Sequence, residues 1–156
     1  MNVVDRYINL AKNEVIEDPE KGWDYLRFGF KANKLKMKLL PKKDLPKGYQ
    51  KLEHLMMSLI ADNLGKESGY VWGNIFAPCE IIQCFGLKTI SVECLSCFLA
   101  GYHLEDHFID CAQEHGIAPT LCSYHKVFLG AAQCGAVRYP RYAVTTSMTC
   151  GTPSAT

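Results

Sequence analysis

Cys122-Ser123-Tyr124-His125-Lys126 brings a thiol, two hydroxyls, an imidazole and an ammonium to five consecutive positions, just before an apolar helical run. A thiol at a helix N-terminus meets the positive end of the helix dipole and unpaired N–H groups, which lower its pKa. Charged His125 and Lys126 would lower it further. A thiolate prepared in this way is a soft-metal ligand or a nucleophile. All eight cysteines lie at or after position 79, so this chemistry is confined to the second half of the chain.

The spacing narrows the options. Zinc usually asks for two short-spaced cysteine pairs, and only Cys94-x-x-Cys97 is present. That pair formally suits a thiol-redox site at a strand-to-helix junction, although its flanks are apolar. The compact cysteine runs of ferredoxins are absent. Single cysteines from separate strand ends could still hold an iron–sulfur cluster. His103 and His107 stand four apart with Glu105 and Asp106 between them, which reads better as a solvated helix face than as a metal pair. There is no phosphate-binding GxxxxGK[ST] loop, no GxGxxG after a strand and no GxSxG turn, so no nucleotide site is expected.

The elements that must position these groups fall into two parts. Residues 1–68 read as three helices: one around Val4 to Ala11 ending before Asp18-Pro19, one from Trp23 to Leu39 closed by Pro41, and one over Leu52 to Ile60. Lysines at 31, 34, 36, 38, 42 and 43 make this end locally basic, which reads as a solvated face and linker before a docking patch. Residues 69–156 read as a strand over Tyr70–Ala77, a helix opening at Pro78-Cys79, a strand over Leu87–Glu93, and helix to Gly116, with Gly101 as an internal breaking point. A turn at Ala118-Pro119, a helix from Ser123 to Ala136 and a strand from Tyr142 follow. Strands alternating with helices predict a small parallel α/β sheet, whose ligands bind beyond the strand C-termini. Cys79, Cys94 and Cys150 each follow a strand and Cys122 opens a helix, so four thiols are expected on one rim. Cys84, Cys97, Cys111 and Cys134 are left as core or helix-face residues.

Bulk properties exclude other classes. With 156 residues, 48% hydrophobic and 21% charged, the chain can bury a core and is not disordered. A formal net charge of +1 gives no whole-molecule attraction for nucleic acid or an acidic membrane. No apolar run approaches the roughly 20 residues that span a bilayer, and the N-terminus lacks a secretory h-region. The expectation is a cytoplasmic protein with no nucleic-acid or membrane partner, its thiols reduced.

"NIFAPCEIIQCFGLKTI", "LCSYHKVFLGAA" and "RYAVTTSMTCG" resemble, in that order, three segments of the first α/β domain of 2-hydroxyacyl-CoA dehydratase subunits. That family includes 2-hydroxyglutaryl-CoA dehydratase D-component subunits, benzoyl-CoA reductase subunits and double-cubane cluster proteins. The resemblance covers about Tyr70 to Gly151. It implies a flavodoxin/Rossmann-like domain and an oxygen-sensitive iron–sulfur cluster, [4Fe–4S] or double-cubane, held by cysteines. It implies an ATP-hydrolysing activator protein that delivers one electron at low potential to a 2-hydroxyacyl-CoA. The resulting ketyl radical acidifies an otherwise inert β-proton, which is what makes elimination accessible.

Carried over residue by residue, Cys122 matches the family's second cluster cysteine. Its helix would then stabilise the thiolate beneath an anionic cluster. Cys79 is the nearest candidate for the first, whose usual place is a few residues earlier. Cys150 corresponds to a cysteine seen after this strand in some relatives, with Gly151 where Asp often follows. The family's remaining ligand comes from a second domain, so the chain is expected to be an incomplete subunit that needs that domain or a second subunit and is inactive alone. Two other readings stand beside this one: a non-catalytic scaffold of the same fold, and a thiol-redox protein using Cys94 and Cys97.

Overall fold

Asp18-Pro19 both ends one helix and starts the next, because proline suits a first helical turn and Asp18 accepts a hydrogen bond from Lys21 N at 3.2 Å. The computed structural model describes residues 3–42, 44–64 and 70–146, and builds three helices before the first strand: α1 (Val3–Glu17), α2 (Pro19–Leu39) and α3 (Lys47–Asn63). Then follow β1 (Tyr70–Gly73), α4 (Cys79–Cys84), β2 (Lys88–Ser91), α5 (Val92–Ala100), α6 (Glu105–Glu114), α7 (Ser123–Gln133) and β3 (Tyr142–Val144). The chain is mostly helical around a three-stranded parallel sheet, as an α/β class requires.

The sheet order is β2-β1-β3, with Tyr70 opposite Lys88 and Val71 opposite Tyr142. The chain leaves β1 toward one side and returns on the other, so the direction of winding reverses at β1. In open parallel sheets such a reversal leaves a crevice at the strand C-termini. All four residues of β1 are buried, as a central strand demands. Tyr70 fixes the last connection from both ends: its hydroxyl donates to the Arg138 carbonyl and its own carbonyl accepts from Arg141 N at 3.0 Å.

One buried cluster gathers Val15 of α1, Trp23 and Leu26 of α2, Ile60 of α3, Leu95 and Leu99 of α5, Phe108 of α6 and Phe128 of α7. Two glycines permit its closest helix contacts. A Cβ on Gly22 would lie 2.6 Å from Val15 Cγ2, and one on Gly130 would lie 2.7 Å from the Phe108 carbonyl carbon.

Two expected strands differ in extent. The first strand stops at Gly73, because Asn74 opens a turn in which Ala77 N donates to the Asn74 carbonyl at 2.9 Å. The second stops at Ser91, whose hydroxyl caps α5 and draws Val92 and Glu93 into the helix. The helical stretch up to Gly116 is broken at Gly101, the break that the sequence points to, and His103 adopts the left-handed region (φ 54°) between α5 and α6. His103 therefore lies outside the helix that carries His107, and the two do not share a helix face.

Candidate functional site

The C-terminal edge of the sheet is held by a buried amide. Asn74 follows β1, and its Nδ2 donates to both the carbonyl and the hydroxyl of Thr146 beyond β3, each at 3.1 Å. Just past this turn Pro78 precedes α4 and Cys79 is its first residue. The Cys79 thiol is half-buried against the strand end: a Cβ on Gly73 would lie 3.1 Å from Cys79 Sγ. Any larger residue at 73 would displace that thiol.

Cys122 is the N-cap of α7. Its carbonyl accepts from His125 N and Lys126 N, both at 3.1 Å, while its exposed thiol makes no capping bond. Because α7 leads into β3 of a parallel sheet, its N-terminus and the end of β1 stand at the same edge. Cys122 and Cys79 therefore share the C-terminal edge but lie on opposite faces: the Gly73 Cβ direction meets Cys79 Sγ, whereas the neighbouring Trp72 packs on Phe128 of α7. Among the described residues, however, no three His, Cys, Asp or Glu side chains gather as a metal site would need. Cys150 lies outside the described residues.

His125 and Lys126 do not have the expected role beside the Cys122 thiol. Both are buried. Lys126 Nζ donates to the Pro119 carbonyl at 2.9 Å and so ties down the preceding loop. His125 turns toward Glu93, with Nε2 4.0 Å from Oε1. Burial pushes the imidazole below its ordinary pKa, against the opposing pull of Glu93, so the ring is neutral at pH 7.

Cys97, expected to pack or lie on a helix face, is exposed and stands beside Tyr124. Ser96 explains the approach: its hydroxyl lies 2.6 Å from the Tyr124 carbonyl and 3.0 Å from that of Val92, which draws α5 onto the start of α7. The Tyr124 phenol is held above its ordinary range, first by its hydrogen bond with Cys97, then by the charge of Cys97 and of Cys122 nearby. Cys97 thus shares the neighbourhood of Cys122. Cys94 sits one turn earlier, half-buried, with its N–H 3.4 Å from Ser91 Oγ. Cys111 is core, as expected; burial first, then Cys134, pushes its thiol up to about 11.

A cavity of about 500 Å³ opens at this edge, lined by Trp72, Asn74, His125, Phe128, Tyr139 and Arg141 among others. Trp72 packs edge-on against Phe128, with centroids 5.3 Å apart. Neither Trp72 Nε1 nor His125 Nδ1 has a hydrogen-bond partner among the described residues. The sequence reading missed this cavity, although Trp72 in β1 and Arg141-Tyr142 entering β3 supplied its materials.

No protein-family model matches the chain, and neither the curated proteins nor the solved structures yield a match. No described helix is long and apolar enough to cross a membrane.

Proposed function

We propose that the chain is an iron–sulfur subunit, or part of one, of an ATP-activated radical 2-hydroxyacyl-CoA dehydratase or related acyl-CoA reductase. The observation that supports this reading is that Cys79, after β1, and Cys122, capping α7, both stand at the C-terminal edge of the sheet, where the winding reverses. The order β2-β1-β3 agrees with the flavodoxin-like arrangement that the resemblance implies.

The donor set fits in kind but is incomplete in number. Two thiols reach the edge, one exposed and one half-buried, and a cluster needs at least one more ligand. Cys150 is the candidate within the chain, and a second domain or subunit would supply any other. A bound cluster would store and pass on one electron at low potential. The chain's own residues do the remainder: Asn74 fixes the strand ends, Gly73 leaves room for the Cys79 thiol, and Lys126 holds the loop that leads to Cys122. The aromatic cavity beside them would receive the acyl part of the substrate, away from water.

Anaerobic reconstitution with ferrous iron and sulfide tests the reading. The expected product is a brown chain with bound iron and sulfide and broad visible absorption, lost in Cys122→Ala and weakened in Cys79→Ala. A colourless chain with eight free thiols would favour the scaffold reading. Disulfide exchange abolished by replacing Cys94 or Cys97 would favour the thiol-redox one.

A further inference from the structure

The outer half of the α2–α3 hairpin touches the core only through partly buried side chains such as Met37. The hairpin is antiparallel and pinned by Lys34–Asp62, by Lys42–Glu53 (3.4 Å) and by Arg27 Nε donating to the Leu64 carbonyl at 3.1 Å. Its buried residues lie near the base: Trp23, Leu26 and Phe30 on α2, and Met57, Ile60, Ala61 and Leu64 at the end of α3. Between Lys31 and Met56 no described residue is buried.

That outer half combines apolar exposure with strong positive charge. At its tip Leu39 is 66% and Leu40 71% exposed, immediately before Pro41. Leu35, Tyr49, Leu52 and Leu55 behind them are each more than half exposed. Residues 31–56 hold eight lysines, no arginine and two acids, a net charge of +6. Since the whole chain carries +1, the remainder carries −5, and the molecule is polarised. The near-zero total hides this.

We propose that the tip of the α2–α3 hairpin docks on an anionic phospholipid surface. Three features select that occupant. The charge is all lysine, which suits a diffuse field of headgroups; the planar forks that read phosphates one at a time would be arginine. Leu39 and Leu40 are exposed where α2 ends at the turn of the hairpin, a place from which apolar side chains enter a bilayer interface without needing a matching groove. Lysine stems then lie along the apolar surface with their ammonium groups at headgroup level, and Tyr49 suits the same boundary. A second copy docking tip to tip would set +6 against +6.

The test is flotation of the reduced full chain with vesicles of phosphatidylcholine, with and without about one-third phosphatidylserine, at low and high salt. Binding is expected to the anionic vesicles only and to fall steeply with salt. The charge reversal Lys36→Glu with Lys38→Glu should weaken it about tenfold or more. Leu39→Ser with Leu40→Ser should weaken it several-fold even at low salt. Because all four residues are exposed, helicity by circular dichroism should not change. Three results would overturn the proposal: equal binding to both vesicle types, no binding to anionic vesicles at low salt, or full binding by the leucine variant. So would salt-sensitive self-association, seen by sedimentation, that the lysine variant abolishes while vesicles stay unbound.

Discussion

Gly130→Ala perturbs the contact that sets the position of α7, and with it Cys122. Gly130 faces the backbone of Phe108, and a Cβ there would fall well inside van der Waals contact of the Phe108 carbonyl oxygen, 2.7 Å from its carbon and 3.1 Å from its Cα. These are backbone atoms of a packed helix, so no rotamer change can relieve them. The two helices must separate, loosening Phe108 and Ala131, both fully buried. Overpacking of this kind costs about 1–3 kcal/mol, and a backbone clash belongs at the upper end. Alanine returns about 1 kcal/mol of helix propensity, leaving a net loss of roughly 2 kcal/mol. In urea melts the midpoint should fall without a change in slope; by heat, Tm should drop by roughly 4–8 °C. Gly48→Ala in α3 is the control, because its Cβ would meet nothing within 4 Å. It should leave stability unchanged or raise it by up to ~1 kcal/mol. If Gly130→Ala is as stable as the parent chain, α6 and α7 do not approach as described.

Other expectations follow from the same geometry. Lys126→Met keeps the stem but cuts the bond to Pro119, and should cost about 1–2 kcal/mol while speeding amide exchange in residues 116–121; unchanged exchange would refute the tie. His125 has a folded pKa below its unfolded value of 6.5, so its contribution is fully present above pH 6.5 and is lost as pH falls through the lower folded value. His125→Gln should flatten that acid decline in urea melts taken from pH 7 downward, and an unaltered slope would count against a buried neutral ring. Under iodoacetamide at pH 8, the exposed Cys84, Cys97 and Cys122 should label first. Cys111, with its thiol pushed up to about 11, should lag by about 100-fold on thiolate fraction alone, as peptide mass mapping would reveal.

Much of the scaffold was legible in punctuation. Asp18-Pro19 and Pro41 bounded α2, and Gly86, Gly116 and Gly135 each follow a helix end with positive φ. Strand ends were less legible, because capping by Ser91 and the Asn74 turn each override β-propensity in apolar runs. The direction of His125 was readable after all: with Phe128, Leu129 and Ala132 it follows helical periodicity, which puts it on an inward face. Its polarity suggested a reactive surface instead. The approach of Cys97 to Tyr124 was not readable, since it depends on one Ser96 hydroxyl reaching across to a second helix.

The central strand also sets an order of assembly. Tyr70 meets Lys88 only 18 positions on, so β1 and β2 can pair as soon as α4 is made. Val71 meets Tyr142 a full 71 positions on, and closing so long a loop is slow. During synthesis one flank of the strand Tyr-Val-Trp-Gly stays unprotected until Tyr142 has emerged. Refolding should accordingly be limited by arrival of β3, and a chain cut before Tyr142 would expose a sticky apolar edge.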